Sequence, residues 1–240
     1  MNPKNVKREN VKREQIHIRS RFTFHVSRIL PAILLAAALV ISGCGKLMAA
    51  LVGKTVGEDI QAKYVPAKDE PMLVLAENYQ NPGSASVESE QLARYVCQGL
   101  ERKKVAPQID PSMAIDLRSR DPAGFRKMSI TQVGQAVGAK QVLYIALLSS
   151  SEEMAQATEF QRGEATARVR IIDVDTGQTR WPVDATSGYP INVKTPVVKV
   201  TDENSANALR RGLQQRLGGD IARLFYKYKA DEEGEKALGP

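Results

Sequence analysis

Few residues in this 240-residue chain have the type and spacing to do chemistry. There are two thiols, Cys44 and Cys97, and two imidazoles, His17 and His25. Cys44 closes the run Leu39-Val40-Ile41-Ser42-Gly43-Cys44, with small residues directly before it. Small residues behind an apolar segment are what a leader peptidase cuts, so the Gly43–Cys44 bond is a candidate cleavage site. Both histidines precede it, and the chain beyond the cut has no imidazole. That excludes Ser-His-Asp and Cys-His nucleophilic catalysis, and zinc sites built on histidine. Asp175-Thr176-Gly177 has the residue order of an aspartic-protease loop, a chemistry that needs two carboxylates sharing a proton. The chain holds one copy, so a dimer would have to supply the second. Asp173 and Asp175 also lack the further ligands and closing glutamate of a calcium loop. The same segment makes an ordinary turn, in which the Asp side chain bonds nearby backbone and Gly takes positive φ. Ser149-Ser150-Ser151 has no lysine at a useful helical spacing and reads as a solvated strand end. No catalytic, metal or cofactor site is expected, and the chain is read as non-enzymatic. A carboxylate-dependent hydrolase, the third-ranked alternative, would rest on Asp175.

Residues 1–43 have the parts of a cleaved export signal. Eight basic side chains from Lys4 to Arg28 face only Glu9 and Glu14, and Ile29–Ile41 forms a 13-residue apolar stretch. A membrane span needs roughly 18 to 20 apolar residues, so this stretch is short for a permanent anchor. The full chain carries +7, which taken alone suggests an acidic partner such as nucleic acid. The leader holds 8 of the 34 basic and 2 of the 27 acidic side chains, leaving 26 against 25 in the remainder. The basic character belongs to the export signal, and no nucleic-acid partner is expected.

The leader and its cysteine resemble the lipobox of bacterial lipoproteins. The resemblance implies cleavage between Gly43 and Cys44, a diacylglycerol on the Cys44 thiol and N-acylation of the new amino terminus. It also implies a membrane partner reached through the lipid and a cell-envelope address. Gly45 stands where an Asp would resemble an inner-membrane retention signal, so the periplasmic face of the outer membrane is the expected site. Cys97 is then the only free thiol, and no internal disulfide can form. Its neighbours Tyr95, Val96 and Leu100 place it on a buried helix face.

The rest of the chain divides into a lipidated tether (44–70), one domain (71–229) and an acidic tail (230–240) expected to be disordered. In the tether, Leu47, Ala50, Leu51 and Val52 fit one or two helical turns near the lipid surface, and Gly57–Glu70 is polar. Fully extended, the 26 residues 45–70 reach at most roughly 90 Å. Met72–Ala76 is a continuous apolar run, as in a strand buried on both faces. A helix is predicted over Val87–Lys104 on the stripe Leu92, Tyr95, Val96 and Leu100, then a short strand over Val105–Ile109. Residues 111–128 read as a helical turn and a loop around Asp121-Pro122. Ser129 is placed to cap a short helix that ends at Gly138. Gln141–Leu148 is the most apolar strand. Arg162–Asp173 alternates and pairs with Gln178–Val183 across the Asp175-Thr176-Gly177 turn. Residues 184–201 read as loop with some strand character at Val197–Val200. A long helix from Asp202 to Tyr228 follows, its stripe running from Leu209 to Tyr228 and weakened at Gly218-Gly219. Arg210, Arg211, Arg216 and Arg223 lie on its polar side, read as its solvent face. The expected fold is α/β (α+β): a single domain with a mixed sheet, early parallel β-α-β units, a late antiparallel hairpin and a long carboxyl-terminal helix.

Three stretches carry a further resemblance: the strand Met72–Leu75 with its following loop and helix, Val133–Leu143 as helix, Gly-Ala turn and strand, and Ile171–Trp181 as a hairpin ending in tryptophan. Together they are similar to the periplasmic lipoprotein domains typified by the penicillin-binding-protein activator LpoB, the curli-secretion protein CsgG and the amino-terminal domain of TolB. The resemblance covers residues 71–228. It implies a non-enzymatic adaptor that binds an envelope protein partner, as a penicillin-binding-protein activator does. Its alternative is an oligomeric secretion or transport component of the outer membrane, as in curli secretion, so the oligomeric state is left open. Such a pore needs two membrane-spanning hairpins per subunit. The one candidate here, Ile191–Val200, is interrupted by Pro190, Lys194 and Pro196.

Overall fold

A computed structural model describes residues 58–154 and 159–230 of the chain. The leader, Gly43, Cys44, residues 45–57 of the tether and the expected disorder of 231–240 lie outside the described residues.

The apolar run after Pro71 forms β2 (Met72–Asn78), preceded by a short strand β1 (Asp59–Ile60). β2 leads into α1 (Val87–Arg102), whose first turn is closed by Ser86 accepting the Ser89 N–H at 3.3 Å. β3 (Gln108–Ile109) follows, then three short helices: α2 (Ser112–Arg120), α3 (Pro122–Phe125) and α4 (Ile130–Ala136). Ser129 caps α4 in a reciprocal box with Gln132, and Gly138 ends it at φ +78°. β4 (Gln141–Met154) and β5 (Phe160–Asp173) are 14 residues each. They are succeeded by β6 (Thr179–Trp181), β7 (Tyr189–Lys194), β8 (Val198–Lys199), α5 (Glu203–Arg223) and β9 (Tyr228–Lys229).

One seven-stranded mixed sheet has the order β3-β2-β4-β5-β6, with β7 and β8 also paired to β5. β2 is parallel to β3 and β4, and every pairing of β5 is antiparallel. This is the α/β single domain with early parallel units and a late hairpin that the sequence implied. One sheet face packs on α1 and α5 through Val74, Leu143, Ile145, Leu92, Val96, Leu217 and Phe225. The other packs on α2 to α4 through Leu73, Leu75, Val142, Phe125 and Val133. Burial of these side chains supplies the main driving force for the fold.

The long carboxyl-terminal helix stops at Arg223, and Tyr228, expected on its stripe, lies in β9. Four further segments differ from the sequence expectation. Residues 111–128 are more helical than a turn and loop, because Asp110 and Asp121 each accept a backbone N–H at the start of a helix. Residues 184–201 are only partly loop: the strand character expected at Val197–Val200 is β8, and in β7, which was not expected, Ile191 and Val193 point into the core while Pro190, Asn192 and Lys194 face outward. Pro190 hid this strand from a propensity reading, yet proline is admissible on an edge strand. The same pairing places Ile191–Lys194 and Val198–Lys199 in the central sheet, so 191–200 is not a free hairpin. Ser149–Ser151 lies inside β4, just past a bulge at Leu147/Ser149, and not at its end.

The fourth of these segments is 58–70, assigned from sequence to the tether. They lie on the domain. β1 pairs with β9 in a two-stranded sheet, and the Lys63 and Tyr64 N–H groups donate to the Leu224 carbonyl at 2.7 and 3.2 Å. The fully buried Gln141 donates its side-chain amide to the carbonyls of Ala67 and Glu70 at 2.9 and 3.0 Å. A polar composition concealed this docking, because backbone hydrogen bonds and one aromatic ring, not an apolar stripe, hold it.

Candidate functional site

Cys44 and Gly43 lie outside the described residues, so the geometry below concerns the domain alone. Cys97 sits on the buried side of α1. Burial first, and then the carboxylates of Glu101 and Asp110, push its thiol up to about 12. A neutral, enclosed thiol is a packing group.

The Asp175-Thr176-Gly177 segment is the β5–β6 turn. Asp173 accepts the Thr176 N–H at 2.8 Å, and Gly177 has φ +72°. Asp175 projects outward, 65% exposed, toward Lys140 at 3.2 Å. Asp173 points the other way and accepts from Arg180 at 2.5 Å. The two carboxylates are thus drawn to different cations and do not share a site. Arg180 also reaches Glu70 at 2.5 Å, tying the hairpin to the docked 58–70 segment. Among the described residues no cluster of three or more His, Cys, Asp or Glu could hold a metal, and no helix is long and apolar enough to cross a membrane. On α5, Arg210, Arg211 and Arg216 are exposed, while Arg223 pairs with Asp220 at 3.0 Å and stacks on Tyr228.

The site with the most convergent polar chemistry was not singled out from sequence. It arises from register. On the α2–α4 side of the sheet, two rungs run across the strands: Leu75–Tyr144–Arg170 and Glu77–Ala146–Arg168–Pro190. Cross-strand partners share a face, so Arg168 and Arg170 stand two apart on β5 beside Tyr144. The helices α2 to α4 pack against the part of this face nearer the start of β2, through Leu73, Leu75 and Val142. Beyond them, the small side chain of Ala146 leaves a hollow of about 480 Å³. Tyr79, Leu148 and the 186–187 stretch complete its walls.

Each wall group is held by a neighbour. The Tyr144 hydroxyl donates to Glu77 at 3.1 Å, and the other Glu77 oxygen accepts the Gly83 N–H at 3.1 Å. Burial, followed by the Glu77 charge and that hydrogen bond, pushes the phenol above its usual range, with Arg170 opposing. The Arg170 guanidinium lies 5.3 Å over the Tyr144 ring and donates to the Thr186 carbonyl at 3.4 Å. Arg168 donates to the Ser187 hydroxyl at 2.9 Å and the Gly188 carbonyl at 3.4 Å. Gly188 permits this approach: at φ +92° a Cβ would meet Arg170 Cγ at 3.0 Å and the Val169 carbonyl at 3.1 Å.

Topology explains the location. From β2 the chain crosses by α1 to β3 on one side, then by α2–α4 to β4 on the other. Tyr79 immediately follows β2 and donates its N–H to the Leu147 carbonyl of β4 at 2.9 Å, so the hollow lies where β2 ends, on the face of the longer strands β4 and β5. The available sequence signal was Arg168-Val169-Arg170, two arginines at strand spacing on a face expected to be exposed.

No protein-family model matches the chain, and no curated protein matches it in sequence. Solved structures do align with it at low similarity. Lipoprotein GNA1162 from Neisseria meningitidis is 15% identical over 65% of this chain and 99% of its own, with a TM-score of 0.38. The PelC dodecamer from Paraburkholderia phytofirmans is 15% identical over 68% of this chain and 96% of its own, with a TM-score of 0.33. A minor lipoprotein from Acinetobacter baumannii is 11% identical over 66% of this chain and 91% of its own, with a TM-score of 0.36.

Proposed function

We propose that the chain is a non-enzymatic binding protein, held at a cell-envelope membrane by lipid on Cys44 and engaging an envelope protein through its α/β domain. The observation that carries this reading is the run Leu39–Cys44 behind a basic, 13-residue apolar leader. The docked 58–70 segment supports a refinement. With residues from Glu58 onward held on the domain, only 45–57 remain as a possible tether, at most roughly 45 Å when extended. Such a domain works close to the bilayer that holds its lipid. The expected membrane is the outer one, periplasmic side, since Gly45 is not an acidic retention signal. Incorporation of radiolabelled palmitate by the wild type, lost together with membrane fractionation in Cys44→Ala, is the expected result. An unlabelled wild type, or a variant that still fractionates with membranes, would remove the anchor. A specific partner recovered from solubilised envelope by the wild-type chain is expected for the binding role, and repeated absence of one would count against it.

A further inference from the structure

We propose that the hollow beside Ala146 binds a phosphate group carried on an organic ligand, with Arg168 and Arg170 as its cationic walls. This stands apart from the anchoring reading, because it rests on residues 77–188 and not on the leader. The charge balance motivates it. Arg118 pairs with Glu90, and Arg180 pairs with Asp173 and Glu70. Arg168 and Arg170, among the described residues, have only hydroxyl, carbonyl and ring partners. Each uses Nη1 on the 186–188 stretch, and its Nη2 and Nε donors have no acceptor among the described residues. The nearby carboxylate, Glu77, has both oxygens engaged, by Tyr144 and Gly83. Farther along the same face, Glu164 is taken by Lys194 at 3.0 Å. Among the described residues neither arginine makes a direct ion pair, and the one carboxylate beside them is turned to Tyr144 and Gly83.

The arrangement suits phosphate better than carboxylate. A carboxylate needs one planar fork, whereas donors spread along a strand match the tetrahedral oxygens of a phosphate group. The two arginines stand about 7 Å apart along β5, and the Ser187 hydroxyl flanks them. Stacking of Arg170 on Tyr144, itself fixed by Glu77, preorganises that guanidinium, which lowers the entropic cost of binding. Leu148, Ala146 and the Tyr79 ring give the hollow an apolar side for the organic part of the ligand. Its volume of about 480 Å³ falls within the usual range for small-molecule sites. The phosphate could belong to a phospholipid headgroup or to a soluble phosphoester, and the chemistry of the site is common to both.

The test uses the full chain in a non-ionic detergent that carries no phosphate. Inorganic phosphate and glycerol 1-phosphate are titrated by calorimetry, and hydrogen exchange is followed at Tyr79 and 168–188. A parallel preparation contains phosphatidylglycerol. Saturable binding of glycerol 1-phosphate, weakened about tenfold or more in Arg168→Gln/Arg170→Gln, is expected for a soluble source. Protection that arises only with phosphatidylglycerol, and disappears in the same variant, assigns the phosphate to lipid. If the double variant does not fold, Arg170→Lys and Ser187→Ala serve instead, both expected to weaken binding. Absence of binding and protection by every probe in the wild type overturns the proposal. So does affinity that the folded variants leave unchanged.

Discussion

The backbone of Gly218 in α5 lies directly against the Cβ of Tyr95 in α1: a Cβ added at Gly218 would stand 2.7 Å from it. One turn away the contact is repeated from the other helix, where a Cβ on Gly99 would meet that of Ala222 at 2.8 Å. The two helices cross at glycine, and this close crossing lets Leu92, Val96, Leu217 and Ile221 fill one core layer above the sheet.

Gly218 and Gly219 should therefore respond to alanine with opposite signs. Gly218→Ala puts a methyl against a rigid Cβ, so the helices must part, at a cost of about 1–3 kcal/mol. Around Gly219 a Cβ meets nothing within 4 Å, and its replacement in a helix interior should stabilise by about 0.5–1 kcal/mol. Urea unfolding would show midpoints moving in opposite directions at constant slope. Equal shifts would mean that the helix crossing is not what requires Gly218.

Trp181 links the late hairpin to the segment that enters the domain. Its ring stacks on Tyr64 at 6.1 Å and Tyr189 at 5.1 Å, and meets Phe225 edge-on at 5.7 Å. Trp181→Ala should cost about 2–3 kcal/mol, less than a fully buried aromatic because the residue is only partly buried. The sharper readout is local: the Lys63 and Tyr64 amides, bonded to the Leu224 carbonyl, should exchange faster while those of β4 stay protected. Unchanged protection at Lys63 and Tyr64 would assign the docking to Gln141 and Arg180 instead.

How much of this was legible follows from the kind of signal each element gives. Met72–Asn78 was legible as a continuous apolar run and Val87–Arg102 by its helical period, and the parallel pairing of β2 with β3 follows from the helix that connects them. The cap at Ser129 and the Asp175-Thr176-Gly177 turn are local chemistry and were readable as such. β7 was not, since a proline at its second residue masks an alternation only six residues long. The docking of 58–70 rests on Gln141, 71 residues beyond its acceptor Glu70, and no local pattern encodes such a pairing. The hollow beside Ala146 depends on which residue of β2, β4 and β5 falls opposite which, and register is a property of the assembled sheet. Gly218-Gly219 looked like a weak point because propensity scales assign glycine a cost without knowing what crosses it.

Cys97 gives a prediction at alkaline pH. With its thiol pushed up to about 12, it is neutral in the native protein throughout the physiological range. The unfolded thiol ionises near its usual value of about 8.5. Between those limits the unfolded state loses a proton that the native state keeps, so stability should fall as pH rises through this window. Tyr144, also shifted upward, acts in the same direction above about 10. Stability to urea should decline more steeply in the wild type than in Cys97→Ala between these pH values. At neutral pH, a thiol reagent should label Cys97 only as fast as the domain opens, and rapid labelling of the native domain would contradict its enclosure.

Asp173 sets the corresponding acid limit. The Thr176 N–H and then Arg180 hold its carboxyl at about 2, below the ordinary 3.8. The native state thus favours the ionised form, and the resulting stabilisation is complete above about pH 4 and is lost as pH falls toward 2. Because this hairpin borders solvent, screening should reduce the contribution to about 1 kcal/mol. Asp173→Asn removes the ion pair with Arg180, which keeps Glu70, and keeps a side-chain acceptor for Thr176. The variant should be less stable than wild type at neutral pH, and the gap should close as both are titrated from pH 4 to 2. Urea midpoints measured across that interval provide the check. A gap that stays constant to pH 2 would show that another carboxylate governs the acid transition, and Glu70, the second partner of Arg180, would be the next to test by Glu70→Gln.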